Sequence, residues 1–133
     1  MKWLLLIVIA AALFFGGAAM IASELGGEVV VLHTEDDVGL GYQTSLWVID
    51  DRGQIWLRAG QPGADWLERL KARPRVQLER GGVTVDYNAR VLETQRDRIN
   101  RLMAEKYGWA DQLIGMRRDD SGTMPIRLDP IRR

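Results

Sequence analysis

The chain carries few of the side chains that usually perform catalysis. Its 133 residues include no cysteine and a single histidine, His33. The lack of cysteine excludes a disulfide framework, a thiolate metal site and a cysteine nucleophile. A His-rich metal site or a Ser-His-Asp triad is disfavoured, because His33 would have to serve alone. We therefore predict no metal site and identify no catalytic residue, and we expect His33 to be an ordinary strand residue.

Charged and aromatic residues offer other candidates, each with a plainer interpretation. The acidic run Glu35-Asp36-Asp37 could bind a metal ion or form a solvated loop. Trp47, Trp56 and Trp66 could stack on a planar ring or pack in a core. Fifteen of the 18 basic residues are arginine, whose guanidinium group suits forked contacts with phosphate or carboxylate. Genomic base composition would explain the same arginine bias.

Length and charge limit the class of protein. A chain of 133 residues is long enough for about one domain. Lys and Arg total 18, as do Asp and Glu, so the net charge is zero and nucleic-acid binding by bulk electrostatics is disfavoured. The charge is uneven, however. Bases outnumber acids 16 to 11 from Arg58 onward. The charged residues within 24–57 are mainly acidic.

The N-terminal segment has the composition of a membrane anchor. Residues 4–22 carry no charge, and as a helix they would extend roughly 28 Å, close to the thickness of a bilayer core. We predict a transmembrane anchor over residues 1–23 and a globular domain over residues 24–133. A cleaved signal peptide and a buried core helix are the alternatives. Lys2 before the segment predicts a bacterial inner-membrane protein whose domain lies on the periplasmic side.

The elements that would position these side chains are mostly strands. Alternating or continuous apolar runs predict five or six antiparallel strands. Hairpin turns are predicted at Asp51-Arg52-Gly53 and at Gly81-Gly82. The strands are expected over residues 28–34, 44–50, 55–58, 75–79, 83–91 and 124–128.

Two or three helices are expected between the strands. The first begins near Gly63 and is stopped by Pro74, and the second starts with Thr94 as its N-cap and ends at Gly108. A third, short helix is expected over residues 109–116. This order predicts a mainly β (α+β) domain, a small antiparallel barrel that closes to remove its edges.

Several segments follow one another as they do in a known family. They are Thr44–Val48, the turn at 51–53, Leu57–Gly60, the helix Trp66–Val76 and the closing strand Pro125–Leu128. The helix resembles the pattern W-x-x-N-L-x-A-N-P-x-V. Together they resemble the split β-barrel flavin-binding proteins, specifically the deazaflavin-dependent nitroreductase-like branch of the pyridoxamine-phosphate-oxidase-like superfamily.

The resemblance implies a cofactor and the residues that would hold it. In this family a deazaflavin coenzyme or FMN lies across the barrel, often at a dimer interface. Its phosphate is bound by the first strand–strand loop and by the loop after the third strand. A guanidinium group can bind that phosphate through forked hydrogen bonds, and the backbone N–H groups of a glycine and of a helix N-terminus can also donate to it. The matching residues here are Tyr42, Gln43, Thr44, Ser45, Arg58, Ala59, Gly60, Gln61 and Trp66.

Two functions remain open from the sequence. The resemblance implies an oxidoreductase, anchored to the bilayer through residues 4–22, which passes hydride from a reduced cofactor to a quinone- or nitro-type acceptor. It also implies a small-molecule cofactor as ligand and allows a homodimer. The alternative is a non-catalytic, membrane-anchored split-barrel module that binds a partner or a cofactor without turnover. The acidic first loop, residues 35–37, favours that alternative.

Overall fold

Alternation of apolar and polar residues brings six antiparallel strands together into a closed barrel, with the strand order β1-β2-β3-β6-β5-β4. The computed structural model describes residues 28–108, 110–111 and 120–131. The strands are β1 (Val29–Glu35), β2 (Gly41–Asp51), β3 (Gln54–Ala59), β4 (Arg75–Arg80), β5 (Val83–Val91) and β6 (Met124–Pro130). The mainly β, barrel-forming fold predicted from the sequence is confirmed.

Two helices accompany the barrel in the described ranges. They are α1 (Asp65–Ala72) and α2 (Arg96–Tyr107), and short 3-10 turns cover Glu93–Gln95 and Asp120–Gly122. None of the helices in these ranges has the length and apolar character needed to cross a membrane. The predicted anchor, residues 1–23, lies outside the described residues.

Both predicted hairpins are present. Arg52 and Gly53 join β2 to β3 with φ values of 52° and 76°, and Gly81 and Gly82 join β4 to β5 with φ values of 57° and 80°. Positive φ at both central positions matches the twist of paired strands, and glycine adopts it without steric cost. We call the end of the barrel that carries these two turns the hairpin end.

Helix α1 packs across the opposite end of the barrel, which we call the helix end. Trp66, Leu67 and Leu70 of α1 are buried and join the barrel's interior core. Burying each such side chain contributes about 1.5–3 kcal/mol. The strands supply the rest of this core with Val30, Leu32, Val48, Leu57, Ala59, Val76, Leu78, Ala89, Met124, Ile126 and Leu128.

Helix α2 packs on the outside of the barrel. A second apolar cluster joins Ile99, Met103 and Tyr107 of α2 to Ile49 and Trp56. The Tyr107 ring also stacks on Trp47, with 4.3 Å between ring centroids. These contacts cover part of the outer face of β2 and β3.

The helix boundaries differ in part from the prediction. Helix α1 begins at Asp65, with Ala64 as its N-cap, so the predicted start near Gly63 is wrong by two residues. Thr94 is not an N-cap, because it lies inside a 3-10 turn and α2 begins at Arg96. Gly108 ends α2 with a φ of 53°, as predicted. The predicted helix over residues 109–116 lies mostly outside the described residues.

Candidate functional site

A groove of about 650 Å³ lies on the outside of the barrel near the helix end. Strands β1 and β2 form one wall, and the connection from α1 to β4 forms the other. Its lining is mixed, with charged, amide and apolar side chains. The lining residues are His33, Thr34, Glu35, Gly41, Tyr42, Gln43, Arg73, Pro74, Arg75, Val76, Gln77 and Asp86.

The acidic loop beside the groove is folded around its own carboxylate. Asp36 Oδ1 accepts hydrogen bonds from the backbone N–H groups of Val38 at 3.0 Å and Leu40 at 2.9 Å. The Tyr42 hydroxyl donates to Asp36 Oδ2 at 3.2 Å. The bond from the Leu40 amide, supported by those from Val38 and Tyr42, lowers the pKa of Asp36. Asp36 therefore shapes the loop and holds the hydroxyl of a groove residue.

Arg69 on α1 and Arg73, the C-cap residue just after it, fix that loop against the helix. The guanidinium of Arg69 lies 4.0 Å from the centroid of the Tyr42 ring, and its Nε donates to Thr34 Oγ1 at 2.9 Å. Arg73 donates to the backbone carbonyl of Asp37 at 2.8 Å. Arg69 therefore reaches β1 and β2, and Arg73 reaches the loop between them.

Arg75 adds a second cation to the wall that carries Arg73. It pairs with Asp86 on β5 at 3.2 Å, and its side chain is 69% exposed. Exposed pairs of this kind contribute about 0–1 kcal/mol to stability. The guanidinium of Arg75 can therefore exchange its carboxylate partner for another anion at little cost.

Histidine and glutamine side chains of the groove form a row across three strands. His33 on β1 is paired in register with Gln43 on β2 and with Gln77 on β4. His33 Nε2 lies 3.6 Å from Glu79 Oε2. That nitrogen is buried and makes no hydrogen bond within the described part of the chain. The row therefore presents amide and imidazole groups that can orient a planar polar ligand.

The structure separates the residues predicted in the first strand pair. Tyr42 and Gln43 line the groove. Thr44 is paired with Leu32 on the barrel's inner face, and Ser45 is paired with Val31 on the outer face. Only Tyr42 and Gln43 of this predicted group therefore meet at the groove.

The residues predicted after the third strand lie elsewhere. The Arg58 side chain is 5% exposed, and its Nη2 lies 2.5 Å from Asp111 Oδ1. Its Nη1 donates to Asn100 Oδ1 at 3.3 Å. A phosphate could reach this guanidinium only by displacing the Asp111 carboxylate, so the phosphate-binding role of Arg58 stays a prediction. Gly60 and Gln61 are exposed in the loop before α1. Trp66 is 9% exposed and packs in the barrel core.

The arginines at the groove were not among the predicted site residues. Arg69, Arg73 and Arg75 all lie in or beside the helical segment that carries the family resemblance. The four-residue spacing of Arg69 and Arg73 was the sequence signal that could have indicated a shared target. Their target could not be identified from that spacing, because the β1–β2 loop is more than 30 residues away along the chain.

The comparisons with known proteins concern the fold. No protein-family model matches the chain, and no curated protein matches it in sequence. Solved structures do match. A provisionally assigned pyridoxamine 5′-phosphate oxidase of Listeria innocua has 13% identity and a TM-score of 0.61, over 85% of this chain and 92% of that one. HutZ, the heme storage protein of Vibrio cholerae, has 16% identity and a TM-score of 0.62, over 84% and 88%. An F420-H2-dependent reductase has 22% identity and a TM-score of 0.59, over 77% and 94%.

These similarities confirm the predicted resemblance at the level of the fold. The chain has a barrel similar to that of an F420-H2-dependent reductase and to that of a pyridoxamine-phosphate-oxidase-like protein. Sequence identities this low show a shared fold and do not show a shared activity.

Proposed function

We propose that this protein is a flavin- or deazaflavin-linked oxidoreductase. It transfers hydride from a bound reduced cofactor to a quinone- or nitro-type acceptor. The observation that carries the proposal is the pair of arginines, Arg73 and Arg75, on the wall of a groove that also presents the aromatic ring of Tyr42. The fold shared with an F420-H2-dependent reductase supports it.

The groove residues fit such a cofactor in size and in chemistry. A volume of about 650 Å³ lies within the range of ~300–1,000 Å³ that is usual for small-molecule sites. A phosphate-bearing tail needs cationic donors, and guanidinium groups bind phosphate through forked hydrogen bonds. A planar ring system needs an apolar or aromatic wall and polar groups at its edge. Tyr42 and Pro74 provide the wall, and Gln43 and Gln77 provide the polar groups.

In this proposal the protein binds and orients, and the cofactor supplies the hydride chemistry when bound. Arg73, held by the carbonyl of Asp37, presents a fixed guanidinium to the anionic tail. Arg75 leaves Asp86 to complete the phosphate contact. Gln43 and Gln77 flank His33 and fix the ring by hydrogen bonds to its edge.

The residues implied by the family resemblance form a competing position for the phosphate. Arg58, Gly60 and Gln61, with Thr44 and Ser45, would place it near the β3–α1 loop. The two positions make different predictions, because Arg58→Ala would weaken cofactor binding in one and Arg73→Ala in the other.

A non-catalytic binding module is the second candidate function. Glu35 on the groove wall and the adjacent exposed Asp37 place negative charge close to the arginines. That charge disfavours a tightly held anion. A heme storage protein has the same fold, so storage or carriage without turnover is compatible with this barrel.

Experiments on the purified full chain distinguish these two functions. Visible absorbance or fluorescence would reveal a co-purifying ring, and titration with FMN and with a deazaflavin would measure binding. Oxidation of the reduced cofactor in the presence of nitro and quinone acceptors would then measure turnover. Binding with acceptor-dependent oxidation supports the oxidoreductase. Binding without oxidation supports the module, and no binding of either cofactor contradicts the first proposal.

We also propose that residues 4–22 anchor the chain in a bacterial inner membrane and place the barrel on the periplasmic side. The absence of charge in this segment and the lysine before it support that arrangement. A reporter fused to the C-terminus tests it. Activity of a reporter that works only in the periplasm is expected, and activity only of a cytoplasmic reporter would contradict the orientation.

A further inference from the structure

Acidic side chains at the hairpin end are neutralised by ion pairs within the barrel. Arg80 donates to Glu28 at 2.7 and 3.0 Å and to Asp50 at 2.8 and 2.5 Å. Lys106 on α2 donates to Glu28 at 3.0 Å. Asp51 pairs with Arg98. The carboxylates of Glu28, Asp50 and Asp51 are therefore each compensated by a basic side chain.

Apolar side chains are exposed beside this neutralised cluster. Val83 is 61% exposed and Val85 is 42% exposed. Val83 is paired in register with Arg80, the residue that binds Glu28 and Asp50. Arg52 in the β2–β3 turn, at the same end of the barrel, is exposed as well. Exposed valines and an exposed arginine at one end of a barrel suit the boundary between lipid acyl chains and headgroup phosphates.

The opposite end of the barrel carries acidic residues in the β1–β2 loop and the arginines Arg69 and Arg73 beside that loop. Its β1–β2 loop also exposes apolar residues, Val38 at 86% and Leu40 at 57%. That loop, however, carries Glu35, Asp36 and Asp37, which anionic lipid headgroups would repel.

The chain enters the barrel at the hairpin end. Glu28, the first described residue, is bound there by Arg80, and the uncharged segment ends at Ala22. The six Cα–Cα steps from Ala22 to Glu28 can span at most roughly 22 Å when fully extended. Strand β1 then runs for seven residues toward the helix end, a rise of roughly 23 Å. An anchored chain with a linker this short keeps the hairpin end near the bilayer.

We infer that the hairpin end of the barrel rests on the lipid surface, with Val83 and Val85 inserted among the headgroups and Arg52 at the level of the phosphates. This inference rests on the membrane anchoring in the proposed function. In this orientation the groove, which lies toward the helix end, faces water. The acceptor is then a water-soluble molecule rather than a quinone held in the bilayer.

Because the chain has no cysteine, a single introduced cysteine gives a unique labelling site. Val83→Cys and Val38→Cys form a matched pair, since both are exposed valines at opposite ends of the barrel. Each full-length variant is labelled with a bimane fluorophore. It is then reconstituted into phosphatidylcholine–phosphatidylglycerol vesicles that contain a lipid with a nitroxide on its headgroup.

We expect the bimane at position 83 to be quenched at least about twofold more strongly than the bimane at position 38, because headgroup contact requires close approach. Equal quenching, or stronger quenching at position 38, in chains that float with the vesicles would overturn the docking while leaving the anchor intact. Chains that do not float with the vesicles would overturn both. Neither result bears on cofactor binding, which the titration measures separately.

Discussion

The guanidinium of Arg69 lies 4.0 Å from the centroid of the Tyr42 ring and so joins helix α1 to strand β2 beside the groove. The same side chain donates to Thr34 Oγ1, and Thr34 is 2% exposed. One arginine therefore links α1 to strands β1 and β2 and donates a hydrogen bond to a buried hydroxyl. It also positions the aromatic wall of the candidate site.

Arg69→Ala is expected to lower the free energy of unfolding by about 1–3 kcal/mol, because it removes a cation–π contact and leaves a buried hydroxyl without its donor. Lys71→Ala is the matched control on the same helix. Lys71 makes an exposed i, i+3 pair with Glu68 at 3.4 Å, and such pairs contribute about 0.2–0.5 kcal/mol. Urea unfolding of the two variants measures the difference, and equal losses would show that the Arg69 contacts do not stabilise the fold.

The Arg58–Asp111 pair is expected to be structural. Both side chains are nearly buried, at 5% and 8% exposure. Removing one partner from a buried pair leaves an uncompensated charge, which costs about 3–5 kcal/mol. Arg58→Ala should therefore destabilise the fold by that amount, whereas Arg75→Ala, which breaks an exposed pair, should cost less than about 1 kcal/mol. Thermal or urea unfolding checks the ranking. A stable Arg58→Ala variant with weakened cofactor binding would instead favour the phosphate position implied by the family resemblance.

The hairpin end is expected to lose stability in acid. Hydrogen bonds from Arg80 lower the pKa of Glu28 below its ordinary value of 4.5 and that of Asp50 below 3.8. Because the folded values are the lower ones, the stabilisation is complete above the ordinary values and is lost as the pH falls through the folded values. Glu28 and Asp50 are 39% and 53% exposed. Solvent screening therefore limits the combined effect to about 1 kcal/mol.

Arg80→Gln should therefore be less stable than the wild type at about pH 6, and the difference should shrink toward about pH 3. Arg52→Gln is the control, an exposed arginine at the same end of the barrel. Urea unfolding at several pH values measures both. A difference that stays constant across this range would contradict the role of Arg80 in holding these carboxylates ionised.

The features that were predictable from the sequence depend on local patterns. Alternation in Val83–Val91 predicted β5, and the pair Gly81-Gly82 predicted the turn before it. Gly108 predicted the end of α2 because its positive φ is costly for other residues. Thr94 misled the prediction, since a capping residue followed by Asp97 also fits the 3-10 turn that precedes the helix.

The arrangement of the candidate site depended on contacts between distant parts of the chain. Arg58 was predicted to bind phosphate because its residue type suits an anion, but its partner Asp111 lies 53 residues away. Trp66 was predicted to face a cofactor, yet the same apolar side chain fills the barrel core. Arg73 is held by the β1–β2 loop, whose Asp37 lies 36 residues away along the chain. Residue type alone therefore predicted an anion site without indicating which arginines the fold brings together.

The most direct test of the central claim compares FMN with riboflavin, which lacks the phosphate, in fluorescence titrations of the full chain. The wild type is expected to bind FMN more tightly. Arg73→Ala should weaken FMN binding about ten- to hundredfold and leave riboflavin binding nearly unchanged, while the control Arg52→Ala should affect neither. A wild type that binds neither FMN nor a deazaflavin, or an Arg73→Ala variant that binds FMN as tightly as the wild type, would contradict the account.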